Sequence, residues 1–141
     1  MSEIIQLTPD EVSYSWKVVE PFIVKATDLP GTDLTTDDVF TALMAGHMYA
    51  WVIYNGSKIE AVLITEVREL RHCRVCNLVA LSGVGFHHWK YFEAFIEHWA
   101  RGMNCQYIDV QGRPGWQKMG GEFGYKYQFA VLRKVITRGV H

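Results

Sequence analysis

The residues best able to do chemistry fall in two places along this chain. Ser82, Gly83, Val84, Gly85 and Phe86 join an apolar run, Leu78-Val79-Ala80-Leu81, to an amphipathic run that opens at His87. Glycines at a strand-to-helix junction let backbone N–H groups close on a phosphate at the helix N-terminus. The alternative is that Gly83 and Gly85 only turn the chain. Glu66 and Glu69 close an earlier apolar run, and a carboxylate there can accept a proton. The alternative for both is a solvated strand end beside Arg68 and Arg71. Cys73 and Cys76 form a single Cys-x-x-Cys beside His72, whereas a zinc site needs about four ligands. Cys105 is distant in sequence, and positions 73 and 76 of a strand point to opposite faces. Buried apolar cysteine and no metal are therefore expected. His87 and His88 either meet a phosphate or stay solvated. Arg113, Arg133, Lys134 and Arg138 give a mild basic bias near the C-terminus, without the interleaved aromatics of a nucleic-acid surface.

Composition bounds what can surround these residues. The 141 residues suit one domain. A hydrophobic share of 49% against 21% charged excludes a disordered chain, and 13% aromatics call for an aromatic-rich core. A formal net charge of -1 argues against strong electrostatic binding to nucleic acid or to an anionic membrane. Three cysteines are not an even set, so a secreted disulfide scaffold is not expected. Met1-Ser2-Glu3-Ile4 opens without the basic region of a signal peptide, and no stretch approaches 18 apolar residues. The expected setting is a reducing cytoplasm.

The elements follow from periodicity and punctuation. A short strand over residues 3–7 leads to Thr8-Pro9-Asp10-Glu11, which reads as a capped helix start. Val12, Trp16 and Val19 continue at helical spacing, and Pro21 is expected to end or kink that helix. A second helix starts at Thr35 with Asp38 at capping-box spacing, and Gly46 suits its left-handed end. Residues 48–54 and 58–67 read as strands joined by an Asn55-Gly56 turn, with a third strand at 74–81. Residues 82–85 read as a loop. Residues 87–101 read as a helix presenting Phe92, Phe95, Ile96 and Trp99 on one face, with Gly102 as its cap. A strand at 107–110, a short helix at 116–123 and a last strand at 127–136 complete the order β-α-α-β-β-β-α-β-α-β. This implies a mixed sheet with helices on both faces, the strands at 74–81 and 107–110 being joined by a helical crossover.

That order, covering nearly the whole chain, resembles the GNAT superfamily of acetyl-CoA-dependent N-acetyltransferases. Three local features carry the resemblance: the Gly83-Val84-Gly85 turn, the helix followed by Tyr107-Ile108-Asp109-Val110, and Trp116-Gln117-Lys118 leading to Gly124-Tyr125. Gly83 and Gly85 match the family's glycines, while Ala80 stands where Gln or Arg is usual and the turn is short. Trp99-Ala100-Arg101, Gly112-Arg113-Pro114-Gly115-Trp116 and Leu132-Arg133-Lys134 look closest to small GNAT-like proteins of tailed bacteriophages, some related to podovirus internal-virion or core proteins.

The resemblance implies an α/β GNAT-like fold and, for an enzyme, acetyl-CoA in a V-shaped opening between the strands at 74–81 and 107–110. Ser82, Gly83, Val84, Gly85 and Phe86 would hold the cofactor. Glu66 or Glu69 would take the proton, Tyr125 or Tyr127 would give one back, and a strand N–H would polarise the carbonyl. Phe86 and Trp89 are the aromatics that would plug the opening in a chain that has lost catalysis. The short turn favours that reading: a phage GNAT-like protein with an assembly role, in the host cytoplasm or the virion. Its partners would be other phage structural proteins or a host protein, and it could associate with itself. The alternative is an N-acetyltransferase acting on an unknown amine.

Overall fold

The computed structural model describes residues 2–27, 33–83, 89–110, 124–126 and 132–136. The chain divides into two compact units, Met1–Gln111 and Gly112–His141. In the first, the order is β1 (Ser2–Leu7), α1 (Pro9–Tyr14), α2 (Trp16–Thr27), α3 (Thr36–Met44), β2 (Tyr49–Asn55), β3 (Lys58–Glu69), β4 (Arg74–Gly83), α4 (Trp89–Gly102) and β5 (Tyr107–Val110). The five strands lie in that same order across one sheet. β1 through β4 are antiparallel neighbours, and β5 joins parallel to β4 after the α4 crossover. The expected GNAT-like mixed sheet is thus present.

Local signals placed most boundaries. Thr8 and Thr35 each accept from the backbone N–H three residues on, while Glu11 and Asp38 accept in return from the two threonine N–H groups. Both reciprocal caps satisfy donors that the first helical turn would otherwise leave open. Gly46 follows α3 at φ +77, and the His47 N–H reaches back to the Ala42 carbonyl. Gly56 makes the β2–β3 turn at φ +63.

The long first helix departs from expectation. It breaks at Ser15, and Pro21 lies inside α2. The Ser15 hydroxyl and N–H both donate to the Glu11 carbonyl, at 2.6 and 2.9 Å, which ends α1. The Ser15 carbonyl then accepts from Val18 and Val19 and starts α2. Pro21 is exposed, as is Lys17 whose carbonyl loses its N–H donor, so water can replace the missing bond.

Strand alternation sorts the core onto two faces. Ala50, Val52, Val62 and Ile64 meet Val12, Val19, Ile23, Val39 and Leu43 from α1, α2 and α3. On the other face, Ile53 and Ala61 meet Phe92 of α4. Trp99 packs edgewise against Tyr49 and Trp51, at centroid distances of 5.0 and 5.2 Å. Trp51 Nε1 donates to the fully buried Thr65 hydroxyl at 3.0 Å, which satisfies both groups away from water. The inward stripe of α4 is Phe92, Ile96, Trp99 and Ala100. Phe95, expected to share it, is 50% exposed, because it sits at the flank of that stripe. Gly102 remains within α4, and the left-handed residue after it is Asn104, at φ 63. Asparagine tolerates that conformation because its short amide can bond locally.

β4 runs two residues further than expected: Ser82 and Gly83 are strand residues opposite Val62 and Ala61, not loop. The expected helix at 116–123 and residues 127–131 of the expected last strand lie outside the described residues. Residues 132–136 are described and form no strand. Their β-branched pattern favours extension locally, but a strand also needs a backbone partner.

Candidate functional site

Residues 75–78 lie opposite residues 107–110, and β4 then continues to Gly83 with no strand beside it there among the described residues. Its other edge stays paired with β3, but the register slips: Ile64 faces Ala80 and Thr65 faces Leu78, so Val79 is an extra residue. A bulge of this kind bends its strand and raises the local twist. It falls one residue past Leu78–Val110, the last β4–β5 pair among the described residues. β4 therefore bends just past the Leu78–Val110 pair, and among the described residues no strand lies beside residues 79–83 on that side.

A polar row crosses the sheet just before that point. Glu66 of β3 faces Asn77 of β4, which faces Asp109 of β5. Cross-strand partners project to the same face, and all three are half-buried. Asn77 Nδ2 donates to Glu66 Oε1 at 3.0 Å. One carboxylate oxygen is thereby fixed, and its partner is a neutral amide, so the negative charge is not cancelled.

Glu66 also lines a cleft of about 420 Å³ with Glu69, His47, Tyr49 and Arg74. The cleft forms because residues 66–69 of β3 run past Tyr49, the first residue of β2. Glu69 and Arg74 make a loose ion pair at 3.5 Å across its rim.

The structure distributes the sequence-derived candidates unevenly. Glu66 and Glu69 share the cleft. Ser82 is half-buried at the end of β4. Gly83 has a packing reason: at φ +132, a Cβ there would stand 2.3 Å from the Glu60 carbonyl oxygen and 2.5 Å from the Ala61 Cα. Its lack of a side chain serves the β3–β4 contact. Val84, Gly85, Phe86, His87, His88, Arg113 and Tyr127 lie outside the described residues, as does the side chain of Trp89. Tyr125 is half-buried within the second unit, after an exposed Gly124 at φ +85. Cys76 is fully buried, and burial together with the nearby Cys105 pushes its thiol up to about 12. No group of three potential metal ligands occurs among the described residues. Asn77 and Asp109 were not singled out from the sequence. Their signal there is a lone polar residue inside each apolar strand.

No protein-family model matches the chain, and no curated protein matches it. Solved structures do. It is similar to the aminoglycoside N-acetyltransferase AAC(6')-Iy in complex with CoA, with a TM-score of 0.70, 14% identity and coverage of 96% of this chain and 95% of that one. A GCN5-related N-acetyltransferase from Ralstonia eutropha JMP134 is similar at TM-score 0.71 and 13% identity, over 96% and 99% of the two chains. A predicted acetyltransferase from Clostridium acetobutylicum, solved with acetyl-CoA, gives 0.71 and 11% over 96% of each. Identity this low speaks for the fold: the chain has the fold of the GNAT acetyltransferases. The comparisons show no phage or particle-assembly role. No helix among the described residues is long and apolar enough to cross a membrane.

Proposed function

We propose that the chain is an acetyl-CoA-dependent N-acetyltransferase. One observation carries this reading: β4 bulges at Val79, past its described pairing with β5, beside a half-buried carboxylate whose described partner is a neutral amide. The fit to the cofactor rests on the edge of β4 there. An extended strand without a neighbour presents N–H and C=O groups at the spacing that an extended, amide-bearing chain can pair with. Residues 79–82 would hold the pantetheine arm. Val84, Gly85 and Phe86, before α4, are assigned its phosphates by the resemblance alone. Acetyl-CoA, when bound, supplies an activated acetyl group. The similarity to structures solved with CoA and acetyl-CoA supports this choice.

The remaining chemistry belongs to the chain. An amine is protonated in water near neutral pH and must lose a proton to be nucleophilic. Glu66 is the acceptor: Asn77 Nδ2 orients Oε1, which leaves Oε2 for the amine. The backbone N–H groups beside Val79 are fixed dipoles that stabilise negative charge on an acyl oxygen without reorganising. Tyr125, in the second unit, is assigned the proton for a thiolate leaving group by the resemblance alone.

Calorimetry and thermal shift with acetyl-CoA test the reading. Saturation at 100 times Kd should add about 2.7 kcal/mol of stability. Absence of any shift at millimolar acetyl-CoA would remove the enzyme reading. Given activity, Glu66→Gln should lower kcat by about 10²–10⁴-fold at unchanged acetyl-CoA affinity.

A further inference from the structure

The cleft holding Glu66 is not isolated. Gly46 and Tyr49 also line a second cleft of about 310 Å³, on the other side of the α3–β2 connection. Its remaining walls are mainly apolar: Leu7 and Pro9 at the β1–α1 turn, Val12 of α1, Leu43 of α3, and Met48. The two clefts follow the same end of the sheet, where β1 ends, β2 begins and β3 overshoots.

Charge complementarity defines one half of an occupant. In the polar cleft Glu69 and Arg74 are ion-paired, whereas the Glu66 carboxylate is held, among the described residues, by the neutral Asn77 amide. Among the described lining residues that leaves the Glu66 carboxylate without a cationic partner, and it calls for one. Apolar surface defines the other half: Leu7 and Pro9 keep part of theirs in water and gain from covering a hydrocarbon. We infer that the acceptor is a small amphipathic monoamine, its ammonium at Glu66 and its hydrocarbon body past Gly46 against Leu7 and Pro9. This rests on the N-acetyltransferase reading and narrows it. A polycationic amine fits poorly, because the second cleft offers no counter-charge.

Amine binding to the full chain without acetyl-CoA decides it. NMR titrations at pH 7 would use n-propylamine, n-hexylamine, 1-hexanol and spermidine. Each buried methylene is worth about fourfold in affinity, so hexylamine should bind at least about tenfold tighter than propylamine even with partial burial. Hexanol should bind more weakly than hexylamine, and Glu66→Gln should erase that difference. Leu7→Gln should flatten the dependence on chain length; its half-buried position makes folding less exposed to the change than at Leu43, and Pro9→Ser is the second variant. Equal affinities for propylamine and hexylamine, equal affinities for hexanol and hexylamine, or tighter binding of spermidine would each overturn the inference. A separate acetyl-CoA titration keeps the two readings apart: its failure removes the transferase, while the amine series still reports on the clefts.

Discussion

Gly83→Ala separates two roles that one glycine has been given. The added methyl would sit 2.3 Å from the Glu60 carbonyl oxygen and 2.6 Å from the Ala61 Cβ, contacts that no side-chain rotation relieves, because the nearest atoms are backbone or a Cβ. Holding φ at +132 costs a non-glycine residue about 1–3 kcal/mol, and forcing the β3 and β4 backbones apart costs about 1–3 more. A loss of about 3 kcal/mol is therefore expected, equivalent to roughly 10 °C in Tm for a chain of this size. The assay is urea and thermal unfolding of both proteins, followed by acetyl-CoA titration at a temperature where both are folded. Lower stability with acetyl-CoA affinity within about threefold, a limit near 0.6 kcal/mol, is the expected pattern. A Tm within about 2 °C of the parent, paired with lost acetyl-CoA binding, would refute the packing argument and return Gly83 to the cofactor.

Three further outcomes follow from buried or capped groups. Thr65→Val removes the acceptor for Trp51 Nε1 inside the core, and should cost about 1–3 kcal/mol by urea unfolding, against about 1 kcal/mol or less for a solvated threonine. Cys76 should resist thiol reagents at pH 8 in the native state and react once denatured, since burial and Cys105 hold its thiol near 12; mass spectrometry of the labelled protein checks this. Backbone hydrogen bonds from Thr8 and Thr35, then their side-chain bonds, hold Glu11 and Asp38 below the usual carboxylate range. Their folded values are depressed, so the stability they add is present above the ordinary values and fades as pH falls through the lowered ones. The Glu11→Gln/Asp38→Asn double variant should lose less stability than the parent between pH 5 and pH 2, in denaturant midpoints taken along that range.

What the sequence by itself determined is short-range. The two threonine caps, the Gly46 helix end and the Asn55-Gly56 turn each depend on residues within about four positions of one another, and each appears where those residues stand. The change from helical to alternating periodicity likewise placed β2, β3, β4 and β5, and with them the fold class. The tertiary structure decided what depends on strands meeting. Register brings Glu66, Asn77 and Asp109 into one row, although they lie far apart in the chain. The packing of Gly83 against residues 60 and 61 exists only once β3 and β4 are paired, so the sequence around the glycine does not show it. The bulge at Val79 is equally invisible along the chain: a valine in an apolar run carries no mark of being the unpaired residue. Even the Ser15 break needed context, since Pro21 is the stronger local helix breaker. It is tolerated because folding leaves it and Lys17 on the wet side of α2, where water can take the place of the missing hydrogen bond.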